Sequence, residues 1–176
     1  MNILGIVGSI RKDSIHKQIF NHYKEIAKGQ FDLSEGSIVS FPMYDGENMD
    51  NAEVVKLADQ IRNADGVIFF SPEYNYSIPG SLKNALDFLS RVDPQPFAGK
   101  PAAIVGASPG AAGTARMQYH LRQVGVFLDL QFLNKPEVMI SGAFSKITDG
   151  RITDSSTIEF LGMHAKAFEA FVKQHS

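Results

Sequence analysis

Gly66-Val67-Ile68-Phe69-Phe70-Ser71-Pro72-Glu73-Tyr74-Asn75-Tyr76-Ser77-Ile78-Pro79-Gly80-Ser81-Leu82-Lys83-Asn84 begins as a short apolar run of β-branched and aromatic residues. Such a run suits a strand covered on both faces. Pro79 fits a first helical position, where its missing N–H has no intrahelical partner and its φ is already helical. Leu82, Leu86 and Leu89 then recur at helical spacing and give one apolar face. Between strand and helix, Pro72 to Ile78 forms a loop in which two tyrosines and an asparagine offer flat surface and amide hydrogen bonds. In open α/β folds a loop at the carboxyl edge of the sheet is where ligands bind. The same residues also suit an ordinary connection whose aromatics only pack.

The flanking sequence repeats the alternation. Ile3 to Val7 reads as a first buried strand, and Ser14 caps a helix marked by Ile15, Ile19, Tyr23 and Ile26 that stops near Gly29. A weaker strand covers Phe31 to Val39, and Phe41 to Asp45 is an irregular crossing. Asn51 opens a helix with Val54, Leu57, Ala58 and Ile61 on its buried side. After the helix from Pro79 to about Arg91, Asp93-Pro94-Gln95-Pro96 breaks the chain. Ala102 to Ala107 is a fourth strand, Ser108 to Gly113 a glycine-rich turn, and Thr114 to Val124 a helix. Val126 to Phe132 and Val138 to Ile140 form an interrupted fifth strand, and Ile158, Leu161, Ala165, Phe168 and Val172 mark a closing helix. Phe69, Phe70, Phe88, Phe127 and Phe132 are assigned to the core.

Strands alternating with helices imply an α/β domain: a doubly wound five-stranded parallel sheet with helices on both faces and right-handed crossovers. A chain of 176 residues that is 44% hydrophobic is sized for a single domain, 1–176. Its 17 basic and 19 acidic residues leave a formal charge of −2, without the basic excess of a nucleic-acid binder or the acidic excess of many electron carriers. The absence of cysteine excludes disulfides, thiolate catalysis and cysteine-ligated clusters. His16, His22, His120, His164 and His175 show no metal-ligand spacing. The first apolar run lacks a basic flank and is far too short for a signal peptide or a membrane span. The expectation is a cytoplasmic protein with no membrane or nucleic-acid partner.

In such a fold the ligand lies above the carboxyl ends of the first, third and fourth strands. The loops there are Gly8 to Ser14, Pro72 to Ile78 and Ser108 to Gly113. The first looks built for an anion: Ser9 and Ser14 bring hydroxyls, Arg11 brings a planar cationic fork, and the following helix points its N–H groups at the same place. It is neither a Walker loop nor a dinucleotide fingerprint, and a capped helix with a solvated Arg11 and Lys12 is the alternative. In the third loop, small residues let the backbone approach a flat ligand closely, and Ser108 can reach its rim. A flexible turn is the alternative there.

The Gly8-Ser9-x-Arg11-x-x-Ser14 loop, the block from Pro72-Glu73-Tyr74-Asn75 through Pro79-Gly80 and Leu82-Lys83-Asn84-Ala85 to Asp87, and the Ser108-x-Gly110 turn before an arginine-bearing helix together resemble the NADPH-dependent FMN reductase family. The branch they most resemble holds the bacterial soluble quinone and chromate reductases, near the azoreductases. The resemblance implies a flavodoxin-like fold, bound FMN, and NADPH or NADH as electron donor. Hydride passes to the flavin and then to quinones or, less selectively, to free flavins, azo dyes, chromate or ferricyanide, in ping-pong order. It places Ser9, Arg11, Ser14, Ile15 and His16 around the FMN phosphate and ribityl chain, Pro72, Glu73, Tyr74 and Asn75 along the isoalloxazine, and Ser108 and Gly110 at its other side. No catalytic acid or base is assigned. Two positions depart from the family pattern: His16 stands where asparagine is usual, and Thr114 where a second glycine is usual. Arg116, Tyr119 and Glu137 are expected at a subunit interface of a homodimer or homotetramer, a solvated helix face being the alternative. A flavodoxin-type electron carrier or a flavin-binding sensor module shares the fold.

Overall fold

A computed structural model of the chain describes residues 1–175. Strand β1 (Asn2–Val7) leads to helix α1 (Ile15–Ile26), β2 (Asp32–Gly36) to α2 (Ala52–Asn63), β3 (Gly66–Phe70) to α3 (Gly80–Leu89), and β4 (Pro101–Ala107) to α4 (Ala115–Phe127). Two short strands, β5 (Gln131–Phe132) and β6 (Val138–Ile140), follow. A short helix α5 (Ala143–Lys146) precedes the hairpin β7 (Ile147–Thr148) and β8 (Arg151–Ile152), and α6 (Ser155–His175) closes the described chain. The sheet is parallel in the order β2-β1-β3-β4-β5, with β6 also paired to β4. This is the doubly wound, flavodoxin-like α/β arrangement.

Strand periodicity sorts the core into two layers. Ile68 and Phe70 of β3 and Ala103 and Val105 of β4 face the layer that holds Ile19, Phe20 and Tyr23 of α1 and Leu161, Ala165 and Phe168 of α6. Val67 and Phe69 face the opposite layer, with Leu57 and Ile61 of α2, Leu82 and Leu86 of α3, and Met117 and Leu121 of α4. Phe69 and Phe70 are both fully buried, and each side chain of that size contributes about 1.5–3 kcal/mol of burial. Gly5 lets α1 come close: a Cβ there would meet Cε2 of Phe20 at 2.5 Å. Phe20 in turn packs edge-on against Phe70 at 5.4 Å. The N-terminus of α1 is thereby set over the end of β1.

The elements differ from the sequence expectation in four places. The second strand stops at Gly36 rather than Val39, because Ser37 Oγ accepts the Val39 N–H and turns the chain. Helix α3 starts one residue after Pro79, which serves as its N-cap, and ends at Leu89. Helix α4 continues through Phe127, so Val126 and Phe127 are helical and 80% and 71% exposed rather than strand and core. The first part of the interrupted fifth strand thereby shrinks to β5, and β5 and β6 pair with the first two and the last three residues of β4. The β7–β8 hairpin was not anticipated, although its Asp149-Gly150 turn, with φ of 48° and 78°, is a strong two-residue hairpin signal.

Candidate functional site

The ladders continue past the strand ends and draw the three loops together. Gly8 N–H donates to Phe70 O at 2.8 Å, Ser71 N–H to Val105 O at 3.1 Å, and Ser108 N–H to Ile140 O at 2.9 Å. Ser81 Oγ donates to Gly8 O at 3.1 Å, tying α3 to the first loop. Between the loops lies a cavity of about 220 Å³. Ser9, Arg11, Ser14, Ile15 and His16 line it from the first loop and α1, Pro72, Glu73 and Tyr74 from the second loop, and Ser108 from the third. Asn75 and Gly110 are not among its lining residues. A larger open groove, about 910 Å³, runs along α2 over β2 and away from these loops.

The first loop carries unspent donors. Ser14 is the N-cap of α1 and is only 4% exposed, yet its hydroxyl makes no cap bond. The first intrahelical bonds are those of the Lys17 and Gln18 N–H groups to Ser14 O. The N–H groups of Ile15 and His16 precede them and are two of the donors that a helix start leaves without partners. The Arg11 guanidinium forms no ion pair among the described residues, and Ser9 Oγ accepts the Arg11 N–H at 3.3 Å, which fixes the turn. Donors placed in this way at a helix start, with its dipole, are of the kind that can hold an anion.

His16 lies buried at the start of α1. Burial pushes its pKa down to about 4, so the ring is neutral near pH 7. Its Nε2 accepts the Ala107 N–H at 3.1 Å, which leaves the proton on Nδ1. The ring thus joins α1 to the end of β4, where the third loop begins.

The second loop is held by α4. Glu73 Oε2 accepts the Met117 N–H at 3.0 Å and Oε1 accepts from Arg116 Nη1 at 3.4 Å. The carboxylate therefore serves the N-terminal turn of α4, where N–H groups lack helical partners and negative charge is favoured. Tyr74 and Ser77 exchange backbone bonds of 3.1 and 3.0 Å around Asn75 and Tyr76. The φ values of 51° and 67° at those two residues are the signs of a type I′ turn. The Arg116 guanidinium lies 4.0 Å from the Tyr76 ring centroid, and Ser77 Oγ is 2.7 Å from His120 Nδ1. Tyr119 Oη donates to Glu137 Oε2 at 3.5 Å. Arg116 and Tyr119 share the exposed side of α4, and Arg116 is already engaged within its own chain.

In the third loop Ser108 Oγ donates to Gly110 O at 3.2 Å, and Ser108 O accepts the Ala143 N–H. That bond anchors α5, whose Phe144 lines the cavity and is 71% exposed. Phe144, Asp13, Ala107 and Pro109 are lining residues that the sequence reading did not include. Phe144 gave no signal because it lies beyond the sheet, in a segment without periodicity. No group of three or more possible metal ligands occurs among the described residues. No described helix is long and apolar enough to cross a membrane.

Three comparisons agree on relatives. The quinone reductase of Escherichia coli strain K12 is 41% identical over 99% of this chain and 96% of its own length. An NAD(P)H-dependent FMN reductase of Pseudomonas aeruginosa is 42% identical over the same shares. The solved structure of FerB, a flavoenzyme NAD(P)H:(acceptor) oxidoreductase from Paracoccus denitrificans, superposes with a TM-score of 0.89 at 33% identity, covering 99% of this chain and 98% of that one. The family model for NADPH-dependent FMN reductases matches residues 1–145, which span all three loops, and the chain belongs to the NADPH-dependent FMN reductase family.

Proposed function

We propose that residues 1–176 act as one flavin-binding unit, a cytoplasmic enzyme that moves hydride from NAD(P)H to FMN and on to a quinone in ping-pong order. The observation that carries this reading is the convergence of unspent donors at the start of α1 on one wall of a cavity whose other walls are flat or small. FMN has the matching polarity, a phosphate at one end and a planar ring at the other. Ser9, Arg11, Ser14 and the N–H groups of Ile15 and His16 are assigned to the phosphate, and the Nδ1–H of His16 to the ribityl side. Pro72 and Tyr74 are assigned to one border of the ring, with Asn75 in the turn behind them, and Ser108 and Gly110 to the other. Glu73 is assigned to holding the second loop on α4. Bound FMN supplies the hydride-accepting and hydride-donating chemistry. The protein's part is to expose one face of the ring and to orient both substrates. No side chain is required to carry a proton between them.

The E. coli relative's name supports quinones as acceptors, with free flavins, azo dyes and chromate as less selective ones. Arg116 and Tyr119, on the exposed face of α4, and Glu137, which precedes β6 and accepts from Tyr119, are assigned to contacts in a homodimer or homotetramer. The test is the absorbance spectrum of the purified protein, followed by anaerobic NADPH and then a quinone. Flavin bands that bleach and recover, with parallel double-reciprocal plots at several quinone concentrations, meet the proposal. Bands that persist with NADPH give the function to a carrier or sensor instead, and a protein that cannot be loaded with FMN overturns the site.

A further inference from the structure

We propose that Phe144 determines specificity for the electron acceptor: its ring, held at the mouth of the flavin cavity, is the surface on which a planar aromatic acceptor such as a quinone stacks. This rests on the hydride-transfer reading above. Helix α5 follows the last strand of the main sheet and brings Phe144 to the cavity from outside the three loops. A ring that lines the cavity and is still 71% exposed stands at its entrance.

The segment around Phe144 is tied down on every side while the ring itself is left free. Ala143 is fully buried and Ile147 packs against the α1–α6 layer, whereas Phe144 belongs to neither core layer. The Ala143 N–H donates to Ser108 O at 3.0 Å, which fixes the segment to the third loop. Ser145 Oγ donates to Gly142 O at 2.8 Å and closes the turn. The Thr153 N–H donates to Lys146 O at 2.8 Å, and the Ile152 N–H to His22 Nδ1 at 3.0 Å, so the hairpin and α1 hold the far end. A helix of four residues is not stable by itself, and these ties are what set the position of the ring.

Besides the His16 imidazole, two aromatic rings line the cavity, Tyr74 from the second loop and Phe144 from α5. Tyr74 is assigned to the border of the flavin ring. Phe144 is then the ring left for the molecule that arrives after the cofactor is seated. It has apolar surface still to cover, and its π-face favours an offset or edge-on partner ring. A quinone is planar and largely apolar. Ferricyanide is a hydrated anion with no ring to stack, so Phe144 should favour the first acceptor over the second.

The experiment titrates 2-methyl-1,4-naphthoquinone into oxidised, FMN-loaded protein without NADPH and reads the perturbation of the flavin absorbance. Phe144→Ala should raise the Kd about tenfold, the scale of one stacked aromatic pair with the area it covers. Phe144→Tyr keeps the ring and should stay within about twofold of the wild type, and Phe144→Leu, apolar without a ring, should lie between. In turnover, the ratio of kcat/KM for the naphthoquinone to that for ferricyanide should fall about tenfold in Phe144→Ala. The two acceptors share the reductive half-reaction, so any effect of the variant on that half cancels in the ratio. An unchanged Kd in Phe144→Ala, an unchanged ratio, or a Phe144→Tyr variant as weak as Phe144→Ala overturns the proposal. Loss of FMN from Phe144→Ala gives the ring to the cofactor and overturns it as well. Because the titration needs no turnover, failure of the hydride-transfer reading appears separately, as FMN that NADPH does not reduce.

Discussion

His164 sits at the centre of the α1–α6 layer, 1% exposed, with its Nδ1 2.7 Å from the Oη of fully buried Tyr23. Its ring stacks on Phe168 with an interplanar angle of 8°. Burial pushes its pKa down to about 4 from 6.5. A depressed folded-state pKa means that the unfolded chain binds the proton first. The stability that depends on the neutral ring is therefore fully present above pH 6.5 and is lost as the pH falls toward 4. Between those limits the unfolded state holds about one more proton per histidine, a tenfold loss in the folding constant per pH unit. Over the whole window this amounts to about 3 kcal/mol for His164, against a total stability of about 5–15 kcal/mol for a typical protein.

The perturbation that isolates this effect is His164→Gln. Glutamine does not titrate, and its carbonyl can still accept from Tyr23 Oη, so the phenol need not be left unpaired. The lost ring contacts should destabilise the variant at pH 7.5 by about 1–3 kcal/mol. On acidification the wild type should lose stability faster than the variant, and the two should converge or cross before pH 4.5. The assay is urea denaturation at half-unit pH intervals, followed by the difference in unfolding free energy. His16, also shifted down to about 4, and Asp154, held down to about 2 by hydrogen bonds from Ser156 and Thr157, contribute slopes of the same sign. Those contributions are common to both proteins and cancel in the difference. A difference that stays constant from pH 7.5 to 4.5 would show that His164 titrates alike in folded and unfolded states, and would refute the argument.

Arg11→Ala should weaken FMN about 10- to 100-fold, the loss of one or two charge-assisted hydrogen bonds, without lowering the melting temperature of the apoprotein; a variant that purifies with full flavin refutes the phosphate assignment. Gly106→Ala places a Cβ 1.7 Å from Oγ1 of fully buried Thr114 and should lower the melting temperature by roughly 5 °C or more, read by calorimetry. Arg116→Ala combined with Glu137→Ala should shift the sedimentation profile toward smaller species, and an unchanged profile removes both residues from the interface.

Much of the sheet was legible because fully buried strands write themselves as apolar runs. Ile3 to Val7, Val67 to Ser71 and Ala102 to Ala107 each lie within a few residues of the observed element. The parts that were not legible lack that signal. Val126 and Phe127 are apolar and follow Val124, so a strand was as natural a reading as two exposed residues at the end of a helix. Their exposure depends on how α4 lies on the sheet, which local sequence does not specify. The site residues of the first loop were legible as a set of donors. Which donors remain unspent was not, because that depends on Ser14 declining its cap bond and on the His16 ring turning to Ala107.

Glu73 shows how one residue type supports two different roles until its neighbours are known. In the sequence it stands beside Tyr74 in a loop full of ring-facing groups, and a carboxylate there reads as a contact to the cofactor. In the fold its two oxygens receive the Met117 N–H and the Arg116 guanidinium. The same Arg116 covers the Tyr76 ring, in a turn where both central residues have positive φ. A bulky residue at such φ is costly and persists only where its surroundings hold it. The loop at the site therefore owes its shape to the first turns of α4. Arg116, Tyr119 and His120 lie on the exposed side of that same helix. Anything that docks on that face touches the groups that hold Tyr74 at the cavity. The exposed face of α4 and the second loop are in this way joined through two side chains, Glu73 and Arg116, rather than through the sheet.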